Sequence, residues 1–502
     1  MRDNLSPYSP HQIALSIGVL VVVVVKILLI WRYAPMAIGD NQGYIDAAAE
    51  ILSSSAWLHD AGVDDSPYPP TLWRPIGYSL IVAAAKAVFA DHWSVALGVL
   101  QSTLSLVTGL FLYRLCLRAK LHPYAALAVF VLYEWSAPMS TDVLIMEDAL
   151  TGVLGMAALL ALLFPIVDNR IPDVGRFAFA GCVTGLAFFL RDVYHFVMPI
   201  LAVLTLIAVG RVRGWKAGAS SAAVLIAPVL IASALLQGWN LHRAGAPVTA
   251  TAGQSAYLFG MLRAARFDDT ILSGDDVFLK TVRQHNTTYQ YTDVGKITIA
   301  LYEEHGMNSI AQLRAASTLF WRTLFTKPLP MIRAALHRVR PVQQGTLFAG
   351  PVTRIDDLDW WANAANAEKF YNQGWRAKAQ KFRETLNPAD LTPEVFLHLS
   401  LRTVLRAVGV ALLAVFLIGA PWLWLKRRAE LGGPAHFVMT TWGLYVLWVC
   451  MYIPVSFEVR YLSPFVGPVL VALAILVQHR EAWLPARLNA LFHFRFRRSS
   501  AG

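Results

Sequence analysis

Carboxylates that could take part in chemistry are concentrated in two short parts of this sequence. Asp40 precedes Tyr44 by four positions, and Asp142, Glu147 and Asp148 come close together further along the chain. A carboxylate in such a segment can act as a general base or bind a divalent metal ion. These four acidic residues, together with Tyr44, are therefore candidates for a functional site.

Ordinary structural roles also account for acidic residues in these positions. A single Asp beside a helix is commonly a cap, and Glu147 and Asp148 at the start of a helix would complement its positive end. The adjacent Arg191 and Asp192 are expected to form an ion pair rather than a ligand site. Both interpretations of the acidic residues stay open on residue type alone.

Three arginines have the chemistry to bind a phosphate group. Arg74, Arg191 and Arg460 lie in short segments with few other basic residues. A guanidinium group can hold phosphate through two parallel hydrogen bonds. For Arg460 the alternative is an interfacial cation paired with Glu458.

The elements that carry these residues are predicted from apolar composition. Of the 502 residues, 56% are apolar and 15% are charged, whereas soluble domains carry about 25% charged residues. The apolar residues come in blocks of roughly 20, enough to cross about 30 Å of hydrocarbon. We therefore exclude a soluble enzyme and predict an all-α polytopic membrane protein with about ten transmembrane helices. The predicted spans are 12–32, 93–113, 122–138, 148–167, 175–190, 194–210, 217–238, 403–425, 435–454 and 461–478.

Basic residues predict the orientation of these helices. The net charge of +11 is concentrated in alternate loops, such as 114–120, 211–216 and 426–428, and in the C-terminal tail. The positive-inside rule then places both termini in the cytoplasm and keeps 76–90 on the membrane surface as juxtamembrane helix. Because the basic residues are spread over separate loops, a nucleic-acid partner is not expected. Lys26, near the end of the first span, is expected to snorkel towards the interface.

Three regions follow from this topology. Residues 1–238 form a transmembrane module with catalytic outward loops at 33–92 and 139–148. Residues 239–400 form a small α-rich extracytoplasmic domain, with helical patterns at 310–325 and 361–386. Residues 401–502 form the last transmembrane helices and a basic cytoplasmic tail.

Smaller features have structural interpretations. Gly181 and Gly185 have the spacing of a close helix contact. Trp360 and Trp361 could stack on a sugar, but they are more typical of a buried or interfacial aromatic pair.

The candidate residues also occur in a recognisable order along the chain. Asp40 with Tyr44 follows the first span, and Glu147 follows the third. The other motifs in this order are Arg74-Pro75-Ile76-Gly77-Tyr78, Leu190-Arg191, Trp239-Asn240 with Gly245 and Gly253, and Arg460-Tyr461-Leu462-Ser463-Pro464. The ordered set resembles the GT-C glycosyltransferases, in particular the branch with the protein O-mannosyltransferases and the lipid A aminoarabinose transferases.

The resemblance implies a GT-C-like fold and an inner (plasma) membrane enzyme whose active site faces the periplasm or exterior. Such enzymes transfer a sugar from a polyprenyl phosphate to a hydroxyl acceptor on a glycan, lipid or protein, with inversion and without a nucleotide cofactor. The resemblance makes Asp40 the general base. Glu147 would orient the acceptor or join Asp40 around a divalent metal ion, which only some members use.

The same resemblance suggests roles for the remaining candidates. Arg191 and Arg460 would bind the donor phosphate, with Arg74 as a weaker candidate. Asp142 and Asp148 compete with Glu147 for the second acidic role. The substrate-binding residues would be Tyr44, Asp142, Asp148 and Tyr461.

Two other classes of function remain as alternatives. A surface-polysaccharide polymerase or ligase would also use outward arginines on a lipid-linked sugar. A secondary transporter or lipid flippase is disfavoured because the predicted helices hold few central carboxylates and the two halves of the chain do not match.

Overall fold

The computed structural model describes residues 10–33, 42–136, 145, 147–194, 197–289, 291–338, 393–456 and 459–482. In that part of the chain every regular element is a helix, which confirms the all-α fold class. The helices as far as residue 244 are α1 (Pro10–Tyr33), α2 (Gln42–Ser53), α3 (Pro70–Trp73), α4 (Gly77–Phe89), α5 (Trp93–Arg118), α6 (Pro123–Trp135), α7 (Glu147–Val167), α8 (Val174–Leu190), α9 (Val197–Arg213) and α10 (Trp215–Ala244). Those that follow are α11 (Gly253–Ala265), α12 (Val277–His285), α13 (Tyr291–Glu303), α14 (Ser309–Thr326), α15 (Pro328–Arg338), α16 (Pro393–Leu431), α17 (Gly433–Ser456) and α18 (Val466–Gln478).

Ten of these helices overlap the ten apolar stretches predicted to span the membrane. Length and composition make five described segments capable of crossing a bilayer: Pro10–Arg32, Gly77–Arg118, Glu147–Val167, Trp215–Ala244 and Ala407–Leu431. Three more helices are apolar but shorter, at Pro123–Trp135, Val174–Leu190 and Leu462–Gln478. The helical, membrane-type architecture is thus observed, while the number of spans and their orientation stay predictions.

The segment predicted to lie on the membrane surface forms α4. This helix has 13 residues, so its length is about 20 Å, less than the roughly 30 Å of a bilayer core. The helix ends at a 3₁₀ turn, Ala90–His92, where Ala90 has a φ of 44°. One face of α4, with Tyr78 and Val82, is buried against α2.

The two glycines of α8 lie at a close helix contact, as their spacing predicted. A Cβ on Gly181 would overlap the backbone carbonyls of Val224 and Leu225, and one on Gly185 would press on Pro228. Glycine is needed at these positions because α8 and α10 approach each other backbone to backbone.

An ion pair buried between α1, α5 and α6 corrects the prediction for Lys26. The Lys26 Nζ lies 3.0 Å from a Glu134 carboxylate oxygen, and the two side chains are only 5% and 0% exposed. The Ser105 hydroxyl donates to the same carboxylate and accepts from Lys26. The snorkelling prediction was wrong because a carboxylate inside the predicted span 122–138 neutralises the ammonium group.

Helices α11 to α15 have a hydrophobic core of their own, which includes Leu262, Val282, Ile297 and Phe320. The predicted helix 310–325 is confirmed, since α14 covers it. The predicted helix 361–386, with Trp360 and Trp361, lies outside the described residues.

Candidate functional site

Glu147, the first residue of α7, lies between two arginines from different parts of the chain. Its Oε1 is 3.4 Å from Nη1 of Arg74 and 3.3 Å from Nη1 of Arg191. Arg191 also pairs with the Asp148 carboxylate. The structure therefore brings together Arg74, which directly follows α3, the start of α7 and the end of α8.

The four charges of this cluster sum to zero inside the protein. Glu147 is 1% exposed, Asp148 5% and Arg191 5%, so each charge has lost most of its water. Two carboxylates and two guanidinium groups offset this cost through mutual attraction, and removing one leaves a buried charge without compensation. We call Arg74, Glu147, Asp148 and Arg191 the charged cluster.

The ion pair predicted between Arg191 and Asp192 is not formed. Arg191 has extended backbone at the end of α8, and its side chain reaches α7 instead. The Asp192 carboxylate accepts a long hydrogen bond of 3.5 Å from the Thr249 hydroxyl. Asp192 already belongs to the following 3₁₀ helix, Asp192–Tyr194, so the two sequence neighbours lie in different elements and have different partners.

Tyr44 of α2 is buried beside the charged cluster. The Arg74 guanidinium lies 5.6 Å from the centre of its ring, and the edge of the Tyr78 ring packs against it at 5.0 Å. Burial raises the pKa of the Tyr44 hydroxyl well above its ordinary value, and the nearby negative charge of Glu147 adds to the shift. The hydroxyl is therefore a neutral donor.

The Tyr44 hydroxyl lies close enough to the Glu147 carboxylate to interact with it, but it makes no hydrogen bond of standard geometry among the described residues. A poorly bonded hydroxyl at 1% exposure can accept a further partner, such as water or a ligand.

Backbone contacts fix Arg74 in position. The N–H groups of Thr251 and Ala252 donate to the carbonyls of Leu72 and Trp73, at 3.0 and 2.8 Å. Three residues after Arg74, Gly77 touches the end of α8 so closely that a Cβ would overlap the Phe189 carbonyl. These two contacts fix the backbone on either side of Arg74 and hold it beside the end of α8, where Arg191 lies.

Arg243 attaches the segment between α1 and α5 to α10, and the sequence analysis did not single it out. Its Nε donates to the Asn240 side chain at 2.8 Å, and its Nη1 donates to the Thr71 hydroxyl at 3.0 Å and to the Trp57 carbonyl at 3.1 Å. The guanidinium also stacks on the Trp239 ring at 3.9 Å. The signal in the sequence was the spacing Trp239-Asn240-x-x-Arg243, one turn of helix, of which only the first two residues were noted.

The remaining candidates cannot be placed with these groups. Asp40 and Asp142 lie outside the described residues. Arg460 and Tyr461 belong to a 3₁₀ helix, Val459–Phe465, that packs against α7, but their side chains are outside the description.

The charged cluster does not suit a divalent metal ion. Within the described segments, no three His, Cys, Asp or Glu side chains come together. Two guanidinium groups within 3.4 Å of one Glu147 oxygen would repel a dication. These four residues by themselves therefore do not form a metal site, and the metal ion suggested for Asp40 with Glu147 stays a prediction, since Asp40 lies outside the described residues.

Comparison with protein-family models, curated proteins and solved structures finds no match to this chain. Function is therefore inferred from the site itself and from the order of its motifs.

Proposed function

We propose that this chain is an integral membrane glycosyltransferase that moves a sugar from a polyprenyl phosphate to a hydroxyl acceptor at the outer face of the membrane. The supporting observation is the buried charged cluster beside the Tyr44 hydroxyl, which makes no hydrogen bond of standard geometry among the described residues. This cluster lies where the short helices α2 to α4 meet the long helices α7 and α8. Arg74, Glu147 and Arg191 are also among the residues that carry the resemblance to GT-C enzymes.

In the proposed reaction the acceptor hydroxyl oxygen attacks the anomeric carbon of the donor sugar. The bond from that carbon to the lipid phosphate oxygen breaks, and the configuration inverts. Asp40 takes the proton of the acceptor hydroxyl. The phosphate departs with the bonding electrons, so its growing negative charge needs a cation rather than an acid.

Differences in exposure favour Arg74 over Arg191 as the phosphate ligand, which reverses their ranking from sequence. The Arg74 side chain, which pairs with Glu147, is 17% exposed. The Arg191 side chain is 6% exposed and is held by two carboxylates. Arg74 can therefore meet a phosphate with less rearrangement, while Arg191 fixes Glu147 at the start of α7.

Tyr44 has the role of a donor to the substrate in this proposal. Its neutral hydroxyl interacts with Glu147 without standard hydrogen-bond geometry, so a well-aligned hydrogen bond to a sugar or phosphate oxygen would be gained at small cost.

The test is transfer by the purified full-length protein, given a panel of radiolabelled polyprenyl-phosphate sugars with lipid and glycan acceptors. The wild type should transfer label from one of them, and Asp40→Asn should not. Asp46→Asn is the matched control, because Asp46 is an exposed carboxylate on α2 that accepts from Gln42. Full activity of Asp40→Asn would instead favour a ligase that relies on arginines, and no transfer from any donor would contradict the proposal.

The ion pair of Lys26 and Glu134 favours a secondary transporter as the second candidate function. Ionisable residues inside a membrane helix commonly mark a substrate or proton pathway, and sequence reasoning had counted few of them. The test is solute uptake driven by a proton gradient into proteoliposomes. Uptake that Glu134→Gln abolishes, without glycosyl transfer, would select the transporter.

A further inference from the structure

An exposed apolar face runs along the last turns of α14 and the length of α15. Trp321 and Phe325 lie four residues apart on α14, with exposed fractions of 37% and 79%. On α15, Leu329, Ile332 and Leu336 are 65%, 49% and 65% exposed, and their spacing places them on one side of the helix. We call these five residues the apolar face.

The apolar face is a continuous patch rather than the usual scatter of surface residues. Among the other described side chains of residues 245–338, the large hydrophobic ones that are this exposed are Phe267, Val277 and Ile299, which belong to separate elements. A contiguous patch of this kind normally marks a protein or membrane contact.

The packing of α15 places this face beside a helix of the membrane bundle. The opposite side of α15 is buried through Met331, Ala334 and Ala335. The helix contacts α11, from the outward core, and also α17. Helix α17 is the predicted span 435–454, so the bilayer around it is the nearest large apolar phase to the apolar face.

Charge distribution identifies the kind of lipid that fits. The 30-residue stretch from Ser309 to Arg338 contains five Lys and Arg residues and no Asp or Glu. By contrast, residues 266–305 of the same outward unit contain seven acidic residues and four basic ones. Arg322 and Arg333 are exposed next to the apolar face, where they can reach headgroups while their stems lie along the apolar surface.

We propose that the apolar face of α14 and α15 lies on the bilayer surface around α17 and binds anionic phospholipids. The five apolar side chains enter the interface, and Arg322 and Arg333 bind lipid phosphates. An amphipathic helix with a basic polar side is the usual form of such a contact. The proposal concerns the outward unit alone, so it does not depend on glycosyl transfer.

The experiment places an environment-sensitive fluorophore on the full-length protein in lipid nanodiscs. Cys182 and Cys450, which are exposed, are first replaced by Ser, and Cys116 is buried. The label is then attached to Ile332→Cys or, as a matched control, to Lys280→Cys on an exposed position of α12. A nitroxide on the lipid chains should quench the label at position 332 several-fold more than at 280, and aqueous iodide should show the reverse order.

A second measurement tests the choice of lipid. Nitroxide-labelled phosphatidylglycerol should quench position 332 more than labelled phosphatidylcholine in the same nanodiscs. Arg322→Gln with Arg333→Gln should reduce that preference, by on the order of fivefold for each charge removed.

Three results would overturn the proposal. Iodide quenching at position 332 equal to that at position 280 would show that the apolar face is exposed to water. If neither quencher reaches position 332, the apolar face is in contact with protein, either a second copy of the chain or residues 339–392 of the same chain. Equal quenching by the two lipids would remove the anionic preference.

Discussion

Nη1 of Arg191 lies 3.3 Å from Oε1 of Glu147, so the end of α8 is joined to the start of α7 by a buried ion pair. Neither residue is near the other in sequence, and each is placed by the end of its own helix. The pair fixes the position of the carboxylate that also contacts Arg74.

Glu147→Gln should destabilise the protein and abolish transfer. Without the Glu147 carboxylate, the charged cluster keeps two guanidinium groups and one carboxylate, and this buried imbalance costs about 3–5 kcal/mol. Adding Arg74→Gln restores a charge sum of zero, so it should recover much of the thermal stability but none of the transfer. Recovery of both would mean that the cluster is structural only, and thermal unfolding with the transfer assay separates these outcomes.

Tyr44→Phe should lower transfer while leaving stability unchanged or slightly raised. The hydroxyl makes no hydrogen bond of standard geometry among the described residues, and removing a poorly bonded buried group relieves a cost of about 1–3 kcal/mol. The measurements are the unfolding temperature and the rate of transfer. A stable variant with normal transfer would exclude a substrate contact for Tyr44.

Lys26→Met and Glu134→Met should each destabilise the bundle by about 3–5 kcal/mol, since each leaves its partner charged and buried. The double change Lys26→Met with Glu134→Met removes both charges, so it should be nearly neutral. Unfolding in detergent measures the coupling between the two sites. Additive losses in the double variant would contradict the ion pair.

Gly77→Ala should destabilise the protein by about 1–3 kcal/mol and displace Arg74. The new methyl group would overlap the Phe189 carbonyl, which is backbone and has little freedom to move. Gly238→Ala in α10 is the control, because nothing lies within 4 Å of that position. It should stabilise the protein by about 0.5–1 kcal/mol. Equal behaviour of the two variants in thermal unfolding would argue against the close contact.

The stability of the loop around Asp268, between α11 and α12, should depend on pH. Hydrogen bonds from Thr270 and Lys327 hold the pKa of Asp268 below its ordinary value. Because the folded pKa is the lower one, the ionised group stabilises the loop above the unfolded pKa of about 3.9, and this contribution is lost as pH falls through the folded value. The protection factors of the Thr270 and Ile271 amides, which are corrected for the intrinsic pH dependence of exchange, should therefore fall in that acidic range. Lys327→Met should move this loss of protection to higher pH, and an unchanged profile would rule out the contact.

The sequence determined the class of the protein through local patterns. Blocks of apolar residues predicted the helices, and the spacing of Gly181 and Gly185 predicted a close helix contact, because both signals depend on residues near one another in the chain. Glu147, Arg74, Arg191 and Tyr44 were selected as site candidates from residue type and order alone.

Only the tertiary structure decided which charges meet. Arg191 pairs with Glu147 and Asp148 rather than with its neighbour Asp192, and Lys26 pairs with Glu134 rather than with the interface. A buried charge without a partner is costly, so each buried charge must find an opposite charge nearby. Which opposite charge is nearby depends on which helices pack together and on how deep the charged residues lie. The paired residues are separated by 43 to 108 positions along the chain, so no local sequence pattern could predict their pairing.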